Sequence, residues 1–313
     1  MIRAIRTGLV VLGAVFALAS CGSRDETKPI RIGYIPIADC AQLFVAESQG
    51  FFRDEGVDVE LERMNGGAVI LPALMTDEID VGFSNVVSLL LLAQQGVGIK
   101  AIVGGPVTNA ANREAAILVR RDSGKNHLLD LGGSTVAVNT RKNIVELFVD
   151  ETLRRAGVDV AQVRYVEIGF PVMEQALRSG SVDAIATIEP FFSKTVDGGG
   201  VIEVADYFLG AFDEVQISTY NIMADRKKPS IRQMAGVSRA LERATAFIAN
   251  PTNSEKVAEA IAIYTALEKN DISSIGLPTY RSEVSKESLF KVQELMLQRG
   301  WLHEPVNVQT LIE

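Results

Sequence analysis

The chain is short of the residues that carry most enzyme chemistry. Its 313 residues hold two cysteines, two histidines and one tryptophan. Two thiols are too few for a zinc cluster or a disulfide framework. His127 and His303 sit in segments that read as surface connections, and neither belongs to an H-E-x-x-H motif. There is no G-x-S-x-G nucleophile elbow and no P-loop. With no nucleophile–base set and no metal cluster legible, no enzyme activity, cofactor or metal is expected. The chain also lacks a basic run, and its net charge is −8, which argues against a nucleic-acid partner. The apolar stretch from Leu9 to Leu18 is about ten residues, half of what a membrane-spanning helix needs.

That short stretch has a different meaning in its context. Arg3 and Arg6 precede it, and Leu18-Ala19-Ser20-Cys21 closes it. A basic start, a short apolar core and small residues before a cysteine resemble a bacterial lipoprotein signal. Residues 1–20 are then a signal peptide, and Cys21 becomes the lipidated first residue, a membrane anchor made stable by two or more acyl chains. Residues 21–29 read as a polar tether. Losing Arg3 and Arg6 takes the net charge from −8 to −10. Cys40 is left as a lone thiol and is expected to be a small buried residue. What remains exceeds the usual size of a single core, so two lobes are expected.

Beyond the tether, strand and helix patterns alternate. Strands are predicted at Arg31–Ile35, around Val57, Val59 and Leu61, at Ile79–Phe83 and at Ile99–Val103. Helices are predicted over Ala41–Gln49, with Asp39 as its cap, after Asn65-Gly66-Gly67 with Ile70, Leu71, Leu74 and Met75 on one face, and over Val86–Gln95. The pattern restarts with strands at Ala116–Val119, Thr135–Val138, Val163–Ile168 and Val182–Thr187, and helices at Arg141–Ala156 and Val172–Ser179. This rhythm predicts parallel sheets covered by helices. Gly56-Val57-Asp58-Val59 recurs as Gly157-Val158-Asp159-Val160, and Ala73-Leu74-x4-Ile79-Asp80 as Ala176-Leu177-x4-Val182-Asp183. Two matches in the same order suggest lobes built from similar units. The last third reads as helices over Ser230–Ala249, Ser254–Leu267 and Lys286–Arg299, with Trp301 packing the last one down.

Ligands of such sheets bind off the carboxyl ends of the strands, where helix N-termini offer free N–H groups. That rule gives Asp39, Gly67, Ala68, Ser84 and Asn85 in the first half, and Asn139, Thr140, Phe170 and Glu189 in the second. Each polar member also suits a plain helix cap. For Glu189, followed by Pro190, the cap and ligand roles are left open. Tyr220 joins the candidates as an aromatic group able to stack on a planar ligand.

At these residues the chain resembles the solute-binding lipoproteins of ABC importers, of the nitrate/sulfonate/taurine-type group that also includes thiamine-pyrimidine-precursor binders. The resemblance rests on Gly33-Tyr34-Ile35-Pro36, Ala46-Glu47-Ser48-Gln49-Gly50-Phe51-Phe52, Glu55-Gly56-Val57-Asp58-Val59 and Phe170-Pro171-x-Met173, ending in Glu189-Pro190-Phe191. It implies a type II periplasmic-binding fold: α/β, two doubly wound lobes with a ligand cleft between them. Lobe I would be 30–106 and 217–313, with lobe II at 107–216, joined by crossovers near Gly104–Asn112 and Phe212–Tyr220. It further implies a small-molecule ligand, an ABC permease with its cytoplasmic ATPase as partner, a monomer, and a place in the cell envelope. The chain departs from the family in Asp39-Cys40-Ala41-Gln42, where many relatives carry His-Ala or Ala-Ala with Pro. A carboxylate there discourages a bare anion, and Arg141 and Lys142 are the few basic residues near the predicted loops. A small anion and an organic ring both remain open. Two rival readings are an exported enzyme of pyrimidine-precursor synthesis on the same fold and a sensing lipoprotein without a transporter.

Overall fold

The computed structural model describes residues 28–111, 113–226, 229–273 and 275–312. The residues predicted as signal peptide, Cys21, most of those predicted as tether, and Asn112 at the end of the first predicted crossover lie outside the described residues.

Five strands form the first sheet: β1 (Ile30–Tyr34), β2 (Val59–Arg63), β3 (Val81–Asn85), β4 (Ile99–Gly104) and β12 (Ser218–Met223). Their order is β2-β1-β3-β12-β4. The second sheet holds β6 (Ala115–Arg120), β7 (Thr135–Val138), β8 (Arg164–Glu167), β9 (Ala184–Ile188) and β10 (Val201–Ala205), in the order β10-β6-β9-β7-β8. Every residue of β3, β7 and β9 is buried, because helices cover these inner strands. β2 and β8 are edge strands and keep charged side chains at the surface, Glu60 and Arg63 in one and Arg164 and Glu167 in the other.

The sequence repeats mark a real correspondence. Gly56 and Gly157 both turn the chain at positive φ, 70° and 88°, ahead of an edge strand, β2 or β8. Ala73-Leu74 and Ala176-Leu177 lie in the helices that lead into β3 and β9. Each sheet therefore repeats one order, edge, first strand and third strand, followed by one reversed strand and another edge.

That reversed strand corrects the expectation of all-parallel sheets. β12 runs antiparallel to both β3 and β4, and β6 runs antiparallel to both β9 and β10. Periodicity gives a strand's place and not its direction, so the alternation of elements did not reveal the reversal.

Between the two sheets lies a third of three short strands, β5 (Pro106–Thr108), β11 (Val215–Gln216) and β13 (Thr279–Tyr280). β5 leaves the first sheet and β11 returns to it, paired antiparallel. β13 pins β5 from the other side, and Gln216 ties the return strand to the C-terminal segment through Glu283 O (3.0 Å) and Ser285 N (2.8 Å). The C-terminal helices return to the first lobe. Ile231–Ile248 and Ser254–Thr265 pack on the helix Ala41–Ser48, and Lys286–Gln298 packs on Val86–Gln94. Beyond the last helix the chain touches the second lobe. Arg299 bonds the buried Glu151 at 2.5 Å, and Lys142 Nζ stands 4.6 Å from the Trp301 ring centroid. Burial alone would raise the Glu151 carboxyl, but hydrogen bonds from Arg299 and Arg155 outweigh it and hold it below its usual range. Trp301 thus meets a cation of the opposite lobe besides closing its own helix.

Candidate functional site

The two lobes touch directly. Ala38 N donates to Glu189 O at 3.0 Å, and Asn139 Nδ2 donates to Asn65 O at 3.4 Å. Gly66 sits so close to the second lobe that an added Cβ would lie 2.9 Å from Asn139 Nδ2 and 3.0 Å from Thr140 Cγ2.

Behind this contact lies a cavity of about 30 Å³. Its first-lobe wall is Ile35, Ile37, Asp39, Phe83 and Asn85, joined by Ile217 and Ser218 at the start of β12. The second-lobe wall is Asn139, Asn143, Ile144, Val145, Phe170, Ile188 and Phe208. A volume of this size holds a water or two, whereas pockets for organic ligands run to hundreds of Å³. Solute entry therefore requires the lobes to part.

Two asparagines set the polar rim. Asn85 caps the helix Val86–Gln94, its Oδ1 accepting from Ser88 N at 3.0 Å. Asn143 caps Ile144–Arg155 in the same way through Glu146 N, at 3.2 Å. Asn143 Nδ2 also donates to Asn139 Oδ1 (2.7 Å) and Thr140 Oγ1 (2.8 Å), so one side chain orients the second lobe's polar face. Replacing Asn143 by alanine should cost about 0.5–2 kcal/mol of stability through the lost cap. It should also weaken solute binding about tenfold by freeing Asn139. Asn143→Asp keeps the cap acceptor and loses the Nδ2 donor, so urea unfolding should stay near wild type while calorimetry shows the weakened binding.

The candidate residues divide clearly. Asp39, Asn85, Asn139 and Phe170 line the cavity. Gly67 stands behind it: a Cβ there would come within 2.4 Å of Ser84 Oγ and 2.8 Å of Asn85 Nδ2, so glycine permits the close packing of this corner. Ser84 and Thr140 are buried without reaching the cavity lining, and Thr140 serves Asn143. Ala68 faces solvent, since the helix begins at Gly67 and turns it outward. Met75, assigned to the buried face of that helix, is likewise exposed. Tyr220 of β12 is buried directly opposite Phe83 of β3, with ring centroids 5.1 Å apart, so it supports a lining residue rather than a ligand. Glu189 accepts from Ser193 N (3.1 Å) and Ser193 Oγ (2.6 Å), which spends it at the start of the helix Phe191–Asp197. Burial still pushes its carboxyl up to about 7, against those hydrogen bonds. Asp39 does not cap Ala41–Ser48; it lies inside a preceding 3-10 turn, Ala38–Cys40, and makes no cap hydrogen bond. Cys40 is fully buried, and burial pushes its thiol well up.

The predicted cations are committed elsewhere. Arg141 forms a two-point pair with Glu146, at 2.8 and 3.0 Å. Lys142 lies over Trp301. No lysine or arginine lines the cavity among the described residues.

Sequence reasoning missed the lining residues Asn143, Phe208 and Ser218, and the buried Glu114, whose backbone carbonyl accepts from Glu189 N at 2.8 Å. The reversed strands explain two of them. Ser218 pairs with Asn85, and Ala115 pairs with Ile188, so β12 and β6 begin where β3 and β9 end. Residues that open a reversed strand thus share the ligand side with residues that close a parallel one. A carboxylate directly before an apolar strand, Glu114 before Ala115–Val119, was the available signal.

Two lobes, each a five-stranded mixed sheet, joined by paired crossover strands around a cleft, define a periplasmic-binding-protein fold. The model of the NMT1-like family matches residues 23–262, and the chain belongs to that family. It is 21% identical over 311 residues to YtlA of Bacillus subtilis (strain 168), named as a binding protein, covering 96% of this chain and 90% of that one. It is 28% identical over 196 residues to the formylaminopyrimidine-binding protein of Halalkalibacterium halodurans, covering 56% of this chain and 53% of that one. Among solved structures, the alkanesulfonate-binding protein SsuA of Xanthomonas axonopodis pv. citri, bound to MOPS, superposes with a TM-score of 0.77 at 17% identity, covering 92% of this chain and 99% of that one. The nitrate-binding protein NrtA of Synechocystis PCC 6803 gives 0.71 at 13% identity, covering 90% and 83%. At these identities the structural likeness concerns the fold.

Proposed function

We propose that the chain is the solute-binding subunit of an ABC importer, and that its solute is a small organic ring compound rather than a bare anion. Residues 30–106 with 217–313 act as one body and 107–216 as the other, closing over the solute and presenting it to a permease. The observation that carries the ring reading is the cavity lining: Phe83, Phe170 and Phe208 with isoleucines, a few amide groups and Asp39, and no cation among the described residues. Helix N-termini at Val86 and Ile144 favour negative charge by about 0.3–1 kcal/mol each. Their caps are already supplied by Asn85 and Asn143, and no lysine or arginine among the described residues lines the cavity to pair with an anion. The named specificity of the formylaminopyrimidine-binding relative agrees with a nitrogen ring.

A thermal-shift screen of protein lacking residues 1–20 against pyrimidines, other heteroaromatics, aromatic acids, sulfonates and nitrate tests this. A fitting ring at 100 times its dissociation constant should add about 2.7 kcal/mol of stability. Stabilisation by nitrate or sulfonates alone would contradict the ring reading. For the anchor, Cys21→Ala should abolish lipid labelling while Cys40→Ala leaves it intact; labelling that survives Cys21→Ala would remove the lipoprotein assignment.

A further inference from the structure

Asp39 is only 3% exposed, lines the cavity, and its Oδ1 has no hydrogen-bond partner. Ser218 Oγ, on the same wall, is also buried and unpartnered. Nearby Glu114 is 2% exposed with both carboxylate oxygens unpartnered, and the Tyr207 hydroxyl is in the same condition. Buried polar atoms are normally paired, so two orphaned oxygens on one cavity wall, Asp39 Oδ1 and Ser218 Oγ, mark a place built for donors that come from outside the chain, and the unpartnered Glu114 and Tyr207 lie within the electrostatic reach of Asp39.

We infer that the solute carries a cationic nitrogen group, an amidinium, guanidinium or ammonium on a flat apolar body, and that it pairs with Asp39, with Glu114 beside it, while a carboxyl proton leaves to solvent. The inference rests on the solute-receptor reading and narrows it. The apolar body would lie against Phe83 and Phe170, and the N–H groups would supply the donors that Asp39 Oδ1 lacks.

The surroundings of the pair contain acids on every side. Charge on Asp39 is felt by Cys40 next to it, by Glu114 ahead of β6, by Tyr207, by Tyr220 in β12 and by Tyr280 in β13. Glu189 and Asp206 act on Glu114 in addition. The cation nearest in sequence, Arg113, is paired with Glu203. With no positive charge beside them, the carboxyls hold protons to higher pH than usual: burial pushes Asp39 up to about 7, and burial followed by the charges of Asp39, Asp206 and Glu189 pushes Glu114 well up. A cation entering the cavity reverses that balance. The carboxyl ionises, its proton goes to solvent, and the net charge of the closed cavity stays the same. An anion would do the opposite, accepting hydrogen bonds from protonated carboxyls and drawing protons in.

The sign of proton exchange therefore separates the cases. Four probes share one ring: benzamidinium, benzamide, benzoate and benzenesulfonate. Each is titrated calorimetrically at pH 7 in two buffers of different ionisation enthalpy, with wild-type protein and with Asp39→Asn. Benzamidinium is expected to bind about 10–100-fold more tightly than benzamide, as a charge-assisted bond implies. Its binding should release protons, and Asp39→Asn should remove both the advantage over benzamide and the release. The buffer comparison on wild-type protein stands even where the variant folds poorly. Equal binding of benzamide and benzamidinium without proton exchange would overturn the inference and leave the ring reading standing. Tightest binding of benzoate or benzenesulfonate with proton uptake would overturn the inference and leave an aromatic ring held as an anion. Failure of all four would overturn the inference, and the broader thermal-shift screen would then decide the receptor reading.

Discussion

Gly66→Leu is expected to weaken solute binding by about 100-fold, roughly 2.7 kcal/mol, while leaving the fold intact. Gly66 precedes the helix Gly67–Met75 with φ 164°, an extended conformation open to any residue. What a side chain there meets belongs to the other lobe: Asn139 Nδ2 at 2.9 Å and Thr140 at 3.0–3.1 Å from the added Cβ. A leucine would act as a wedge across the cleft mouth, and a solute that touches one lobe only cannot favour closure. Melting temperature without solute should stay within a few degrees of wild type. Small-angle scattering should show a radius of gyration that no longer contracts when the best solute of the thermal-shift screen is added. Undiminished affinity would mean that the Asn65–Asn139 contact does not belong to the bound state.

The second large effect concerns pH. Asp39 has an ordinary carboxyl value of 3.8 and is pushed up to about 7 by burial. A group whose folded value is raised gives its full stability below the unfolded value and loses it as pH rises through the folded one. Between pH 4 and pH 8 the wild-type protein should therefore lose stability, by up to about 4 kcal/mol from this group at about 1.4 kcal/mol per pH unit. Glu114, also raised, adds to the same trend. Asp39→Asn removes the ionisation and keeps the shape. The variant should match wild type near pH 4 and be clearly more stable at pH 8 in urea unfolding. A pH-independent difference between the two would contradict a buried, unpaired Asp39.

Most strands and helices were legible in the sequence because their apolar spacing is strong. Thr135–Val138 falls where predicted, and the long helices shift by a few residues at most, Ile144–Arg155 starting late because Asn143 and not an earlier residue caps it. The GVDV repeat identified corresponding units. What escaped was direction and short connection. β12 and β6 read as strands or not at all, and nothing local in Ser218–Met223 or Ala115–Arg120 tells which way they run. The two- and three-residue strands of the crossover sheet carry no period to detect. The site suffered accordingly. The strand-exit rule reached Asp39, Asn85, Asn139 and Phe170 and missed Ser218 and Glu114, which enter on reversed strands. Phe208 was missed because its five-residue helix, Tyr207–Ala211, shows no face. Glu189 and Thr140 were read from residue type, and their neighbours Ser193 and Asn143 had already taken up their polar atoms.

The proposed solute is held between the lobes at the Asp39 cavity. A crystal structure of the protein with the solute that most raises its melting temperature tests this most directly. Density enclosed between Asp39 and Asn85 on one side and Asn139 and Phe170 on the other, touching both lobes, is the predicted result. A solute bound outside that cleft, or held by one lobe alone, would contradict it.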